Sequence, residues 1–195
     1  MNIIPANYTV LLASNSPRRH QLLREMGIDF TVIAHRAEET YPDHLRGEEI
    51  AHYISEKKAL SLQHPLADNQ LLITSDTIVW QDDKALEKPV DAEEARLMLR
   101  ALSAREHTVY SGVTLMTKDR MYTFTVATEV HFYPLSEEEI SYYIENCQPF
   151  DKAGSYGMQE WIGLVKVKKI HGSYTNVVGL PTAELYHEIK RFFAH

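Results

Sequence analysis

Leu12-Ala13-Ser14-Asn15-Ser16-Pro17-Arg18-Arg19 joins the end of one regular element to the start of another. Thr9 to Ser14 is a short apolar run suited to a buried strand. Ser16 is a good N-cap, Pro17 fits the first helical position, and Gly27 can end a helix running from Pro17 to about Met26. A strand that turns directly into a helix points to an α/β architecture. It also sets free backbone N–H groups and two guanidinium groups at one helix N-terminus, which suits a phosphate chain. A capped helix with solvated arginines satisfies the same local pattern.

Outward from this turn, Ile28 to Ala34 reads as a second strand. Gly47 to about Leu62 reads as a helix with Ile50, Tyr53, Ile54 and Leu60 on its inner side. Leu71 to Trp80 is a third strand, interrupted in character by Thr74-Ser75-Asp76-Thr77, and Gln81 to Lys84 is a turn. Asp91 with Glu94 predicts a capping box opening a helix that buries Leu97, Leu99 and Leu102. Thr108–Met116 and Tyr122–Tyr133 are rich in Val, Thr, Tyr and Phe and predict a hairpin of long strands. Ser136 with Glu139 caps a helix to about Asn146, Leu164–Ile170 reads as a strand, and Pro181 opens a closing helix that buries Leu185, Ile189 and Phe192. The predicted fold class is α/β: a mixed twisted sheet flanked by helices, in two lobes around a cleft, with residues 1–195 forming a single domain.

Composition narrows the function classes. The formal net charge of −7 disfavours non-specific binding to nucleic acid or anionic lipid, although a compact basic pocket is compatible with it. The one cysteine, Cys147, permits no internal disulfide and suits a reducing compartment, where it reads as packing rather than nucleophile. No run approaches the ~20 apolar residues of a membrane helix, and the first residues lack the basic and apolar regions of a secretory signal. The expectation is a cytoplasmic protein. The ten histidines show no ligand spacing, and no P-loop or dinucleotide fingerprint is present.

Four further segments carry chemistry. Asp76 lies in an otherwise apolar strand, where an aspartate requires a partner, a metal or a cleft, or else caps a neighbouring loop. Glu87-Lys88-Pro89 supplies a lysine nearby. Asp151-Lys152-Ala153-Gly154-Ser155-Tyr156-Gly157-Met158-Gln159 combines a lysine, glycines that allow close backbone approach, and an amide that can read a base edge; a flexible loop has the same composition. Glu38-Glu39 follows a strand and reads either as a metal or water site or as an exposed acidic loop.

In order along the chain, these segments resemble the Maf family of nucleotide pyrophosphatases. The match runs through the Leu12–Arg19 turn, Glu38, Lys58-Ala59, Ser75-Asp76-Thr77, Glu87-Lys88-Pro89, Ser111-Gly112-Val113, Lys152–Gln159 and Ile170–Pro181. The resemblance implies a fold related to inosine triphosphate pyrophosphatases and metal-dependent cleavage (Mg²⁺ or Mn²⁺) of a nucleoside triphosphate between its α and β phosphates. It implies Asp76 as proton acceptor and Ser14, Ser16, Arg19, Lys58, Lys88 and Lys152 as phosphate-binding groups. Glu38 and Asp76 are the implied metal ligands. Arg18, Thr77 and Gln159 match the subgroup acting on dTTP and UTP, and modified pyrimidine nucleotides fall within the same reading. Two alternatives accompany it: the same chemistry on another nucleotide such as 7-methyl-GTP, and a nucleotide-sensing regulator of septum formation that does not turn over. A homodimer is a further expectation from the family, with neither nucleic acid nor membrane as partner.

Overall fold

A computed structural model describes residues 3–35, 37–62 and 64–194 of the chain. Three long antiparallel strands, β3 (Gln70–Gln81), β5 (Glu106–Met116) and β6 (Met121–Phe132), form the middle of a seven-stranded mixed sheet. β1 (Thr9–Leu12) runs parallel to β3 and to β2 (Thr31–Val32), β4 (Lys84–Leu86) folds back on β3, and β7 (Val167–His171) pairs with β6. The order is β2-β1-β3-β5-β6-β7, with β4 attached to β3. Among the described residues seven α-helices flank it: α1 (Pro17–Glu25), α2 (Glu48–Leu60), α3 (Ala92–Leu102), α4 (Glu137–Cys147), α5 (Trp161–Lys166), α6 (Tyr174–Val178) and α7 (Thr182–Phe193). Among the described residues no helix is long and apolar enough to cross a membrane.

Alternation along β3 determines where the cores form. Leu71 and Ile73 join Leu22, Leu23, Leu185, Ile189 and Phe192 in one apolar core under α1 and α7. Further along the same face, Val79 joins Ala95, Leu99, Leu102, Ile140 and Tyr143 in a second core under α3 and α4. The polar residues Ser75 and Thr77 fall between them. On the opposite face, Ile78 packs with Ile50, Ala51 and Ile54 of α2, and Leu72 with Ala59.

α2 lies close to the sheet because Gly112 sits opposite Asp76 in the β3–β5 register. A Cβ at Gly112 would meet the Ala51 carbonyl oxygen at 2.2 Å. Beside this contact, Ser55 Oγ lies 3.1 Å from Thr114 Oγ1, and Thr74 Oγ1 donates to the Ser55 carbonyl at 2.6 Å. The helix is therefore held on the sheet by polar side chains as well as by apolar contact.

Several local expectations need correction. The second strand shrinks to Thr31–Val32. The strand expected over Leu71–Trp80 is present as β3, and its polar stretch Thr74–Thr77 stays within it because β5 pairs continuously from Leu72 to Trp80. Tyr53 and Leu60 lie on the outer flank of α2, where Lys57 crosses the Tyr53 ring, and Leu97 faces solvent on α3. Asp91 caps α3 through the Glu93 and Glu94 amides, but Glu94 accepts from Val90 rather than from Asp91, so the reciprocal box is displaced by one residue. The capping box at Ser136 and Glu139 is complete. Leu164 and Val165 belong to helix α5, which buries Ile162 and turns Leu164 outward, and the strand begins only at Val167.

The close approach at Gly112 gives a test. Gly112→Ala should destabilise the fold by about 1–3 kcal/mol, the usual range for overpacking, because the contact is with helix backbone rather than a mobile side chain. Chemical denaturation of the two proteins checks this, and an unchanged midpoint would refute the close approach.

Candidate active site

The site begins as a gap in the sheet. β5 occupies one edge of β3 along its whole paired length, so β1 and β4 share the other edge. β1 ends at the Leu12–Ile73 pair and β4 begins at the Val79–Leu86 pair. Among the described residues no strand covers that edge from Thr74 to Ile78. The Ala13 amide donates to the Ile73 carbonyl, so by alternation the backbone groups of Ser75 and Thr77 point into the gap. Asp76 and Thr77, on opposite faces of the strand, both reach the resulting cleft.

On the α2 face, Asp76 and Lys58 are both buried, with Lys58 Nζ 2.6 Å from Asp76 Oδ1. Lys58 also donates to Glu39 Oε1 at 2.8 Å, and Lys88 donates to Glu39 Oε2 at 2.8 Å. Burial alone would raise the Glu39 pKa, but the charges and hydrogen bonds of Lys58 and then Lys88 overcome it and bring the group down to about 2. Among the described residues no hydrogen-bond partner holds Asp76 Oδ2. Two carboxylates thus converge on one ammonium. Three of their four oxygens are bonded to ammonium groups, so a hard cation such as Mg²⁺, which binds through one or two carboxylates and completes its shell with waters and phosphate oxygens, would displace a lysine from the more exposed Glu39.

On the other face, the α1 N-terminus opens into the cleft. Ser16 caps the helix through the Arg19 amide, and Ser14 Oγ accepts from the Ser16 amide at 3.2 Å. Arg19 is tied inward: Nε donates to the Gly179 carbonyl at 2.9 Å and Nη2 to Thr77 Oγ1 at 3.1 Å. Thr77 Oγ1 in turn lies 2.8 Å from Ser111 Oγ. Arg19 therefore links α1, β3 and the α6–α7 connection, whereas Arg18 faces the opposite wall and meets Asp151 at 2.7 Å.

That wall is the loop after α4, which carries Asp151, Lys152, Tyr156, Gly157 and Gln159 into the lining. Lys152 is buried and pairs with Asp151 at 2.6 Å and with Glu160 at 2.9 Å. The enclosed space is about 470 Å³, within the usual ligand-cavity range of roughly 300–1,000 Å³. Five basic side chains (Arg18, Arg19, Lys58, Lys88, Lys152) and four acidic ones (Glu39, Asp76, Glu87, Asp151) line it. The cleft is locally cationic in a chain of net charge −7.

A model of the family described as Maf-like protein matches residues 9–192, and these residues carry every wall of the cleft. The chain belongs to the Maf-like protein family. A protein of Bacteroides fragilis named dTTP/UTP pyrophosphatase is 50% identical to this Maf-like chain over 185 residues, covering 94% of the chain and 96% of that protein. A protein of the same name from Flavobacterium johnsoniae is 46% identical over 179 residues, covering 92% of each. Among solved structures, a nucleoside-triphosphatase / dITP/XTP pyrophosphatase from Mycobacterium abscessus matches with a TM-score of 0.39 at 15% identity, covering 64% of this chain and 74% of that one. The Staphylococcus aureus Ham1 protein gives 0.36 at 16% identity, covering 64% and 71%.

The cleft of this Maf-like chain gathers Ser14, Ser16, Arg18, Arg19, Lys58, Asp76, Thr77, Lys88, Lys152 and Gln159. Glu38 is the exception: it is exposed and outside the lining, and its neighbour Glu39 faces the two lysines. The loop from Ile33 to Gly47 has no period from which its inward residue could be read. For the same reason His35 and Tyr41, both lining residues, carried no signal. His35 Nδ1 is buried without a hydrogen-bond partner among the described residues, and burial followed by the Lys58 charge lowers its pKa. Cys147 is half-buried against the second core, away from the cleft lining.

Two expectations follow. Lys58→Met should destabilise the fold by roughly 3–5 kcal/mol by leaving Asp76 charged and unpaired, and adding Asp76→Asn should recover part of the loss; additive losses in denaturation would break the pairing argument. For Glu39, the folded pKa of about 2 lies below the ordinary 4.5. Its contribution to stability is thus present above pH 4.5 and is lost as pH falls toward 2. Glu39→Gln should flatten the acid limb of stability against pH in that window, and melting curves across it give the comparison.

Proposed function

We propose that this Maf-like protein hydrolyses dTTP and UTP to the monophosphate and pyrophosphate. The observation that carries the reading is the buried Lys58–Asp76 pair in the β3 gap, facing arginine and lysine side chains on the other walls. The relatives named dTTP/UTP pyrophosphatase support the substrate class. A binding module requires cations for a triphosphate. It does not require a carboxylate poised in the middle of them.

In this reading the α1 N-terminus, Arg18, Lys88 and Lys152 hold the triphosphate, and Arg19 fixes the helix end that presents them. Asp76 takes the proton of the attacking water through Oδ2 while Lys58 fixes Oδ1. Glu39, the more exposed of the two carboxylates, would hold a divalent cation beside Asp76, which leaves Asp76 Oδ2 to the water. When bound, the ion offsets negative charge on the phosphoryl oxygens. Entry of the phosphates displaces Asp151 from Arg18 and Lys152, since one carboxylate cannot compete with several phosphoryl oxygens for both cations. Gln159, at the exposed end of the lining, offers a donor and an acceptor to the pyrimidine edge.

The test is pyrophosphate release from a panel of common and modified nucleotides, 7-methyl-GTP included, with and without Mg²⁺ or Mn²⁺. Turnover should concentrate on dTTP and UTP and require the ion. Asp76→Asn should fall to background with its fold intact. Removing Lys88 should lower the rate about 10²–10³-fold, as for loss of a transition-state charge partner. Full activity in folded Asp76→Asn would remove that residue from the chemistry. Binding without turnover of any nucleotide would favour the sensor.

A further inference from the structure

The loop from Lys152 to Glu160 brings both Lys152 and Gln159 to the cleft lining, and it is tied to the body of the protein at one carboxylate. Glu160 Oε1 accepts from Lys152 Nζ at 2.9 Å. Glu160 Oε2 accepts from the Tyr143 hydroxyl, and the Tyr143 hydroxyl oxygen accepts from the Gly157 amide at 2.9 Å. Tyr143 comes from α4 and is fully buried in the second core. Burial and the adjacent Glu160 carboxylate push its phenol pKa upward, so it remains a donor. A Cβ on Gly157 would come within 2.7 Å of the Glu160 carboxyl carbon, which shows how closely loop backbone and carboxylate are packed.

Glu160 is not part of the cleft lining, yet it is bonded to one residue that is and adjoins another. Its two oxygens are divided between them. One fixes the ammonium of Lys152. The other fixes, through Tyr143, the Gly157 peptide two residues before Gln159. Asp151, the other partner of Lys152, is exposed and is shared with Arg18, so it is the partner an entering anion displaces. Glu160 remains.

We propose that Glu160, anchored by Tyr143, is a positioning residue that couples the phosphate-facing Lys152 to the base-facing Gln159. The proposal rests on the nucleotide pyrophosphatase reading above and extends it to how one substrate end is registered against the other. A residue that fixes both contacts affects affinity and base choice together. A residue that only stabilises the loop changes the amount of active protein and scales every substrate alike.

The test compares wild type with Glu160→Gln, Glu160→Asp and Tyr143→Phe, each checked for an unchanged fold by circular dichroism and melting. Glu160→Gln should lower kcat/KM for dTTP about 10- to 100-fold, the range seen when a supporting partner behind a functional group is lost. Most of this should appear as a raised KM, together with reduced discrimination of dTTP over CTP. Tyr143→Phe should loosen discrimination with a smaller change in KM, because Lys152 keeps its partner. Glu160→Asp retains the charge but spans only one of the two contacts, so it should recover KM or discrimination, not both. Calorimetric binding of inorganic tripolyphosphate reads the Lys152 arm without turnover and should weaken in Glu160→Gln. If wild type releases no pyrophosphate, the enzymatic reading fails, and the coupling still stands if Glu160→Gln shows this weakening together with a loss of calorimetric binding preference for dTTP over CTP. Unchanged KM, discrimination and tripolyphosphate affinity in Glu160→Gln, or an equal loss of kcat on all substrates with KM intact, overturns the proposal.

Discussion

Asp76 occupies the centre of a strand whose neighbours are Leu71, Leu72, Ile73, Ile78 and Val79, and an isolated carboxylate there would be strongly disfavoured in its ionised form. The buried ammonium of Lys58, 2.6 Å away, makes the position tenable. Much of the fold around the site can be understood as what that pair requires. α2 must lie close enough for a lysine to reach the strand, and the missing Cβ at Gly112 allows it. The strand must continue through the polar residues, and unbroken pairing with β5 secures that. The opposite edge must stay open for the carboxylate to meet a ligand, and the gap between β1 and β4 leaves it so.

The charges in the cleft follow a second constraint. Each of Arg18, Lys58, Lys88 and Lys152 has a carboxylate partner, so no large field of one sign is left unbalanced in a partly desolvated space. These partners differ in kind. Asp76 and Glu160 are largely shielded and stay with their lysines, whereas Asp151 and Glu39 are more exposed. Exposed pairs contribute little to stability, so an anion with several phosphoryl oxygens can replace Asp151 with little loss to the fold. The division between permanent and replaceable partners keeps the charges of the cleft paired and still leaves cations that an anion can recruit.

How much of this was legible in the sequence depended on whether the signal was periodic. The strand–turn–helix at Leu12–Arg19, the β5–β6 hairpin and the closing helix were readable because caps, turns and apolar spacing act locally. Most site positions were readable only as an ordered set of motifs, since a lysine in a helix and an aspartate in a strand say nothing alone about meeting. The choice between Glu38 and Glu39 was not readable, because an aperiodic loop settles which of two adjacent carboxylates turns inward. Nor was the start of the strand expected over 164–170, where an apolar pair on a short surface helix has the composition of a strand. Tyr143 and Glu160 carried no signal, as their roles arise from a contact across 17 residues.

That last case bears on how specificity can arise in such a cleft. Phosphate groups and a base are recognised by different chemistry, charge at one end and donor–acceptor pattern at the other, and each alone tolerates many nucleotides. Discrimination requires that the two be read at a fixed separation, so that a base of the wrong shape misplaces the phosphates. The separation is set here within the eight residues from Lys152 to Gln159 and their attachment to α4. A loop held only by its ends would allow Lys152 and Gln159 to adjust independently. One shared carboxylate makes movement at either end felt at the other, and the positioning of reacting groups is sensitive to displacements of about 1 Å. The selectivity of the site thus depends on the stiffness of this wall as much as on the residues that touch the nucleotide.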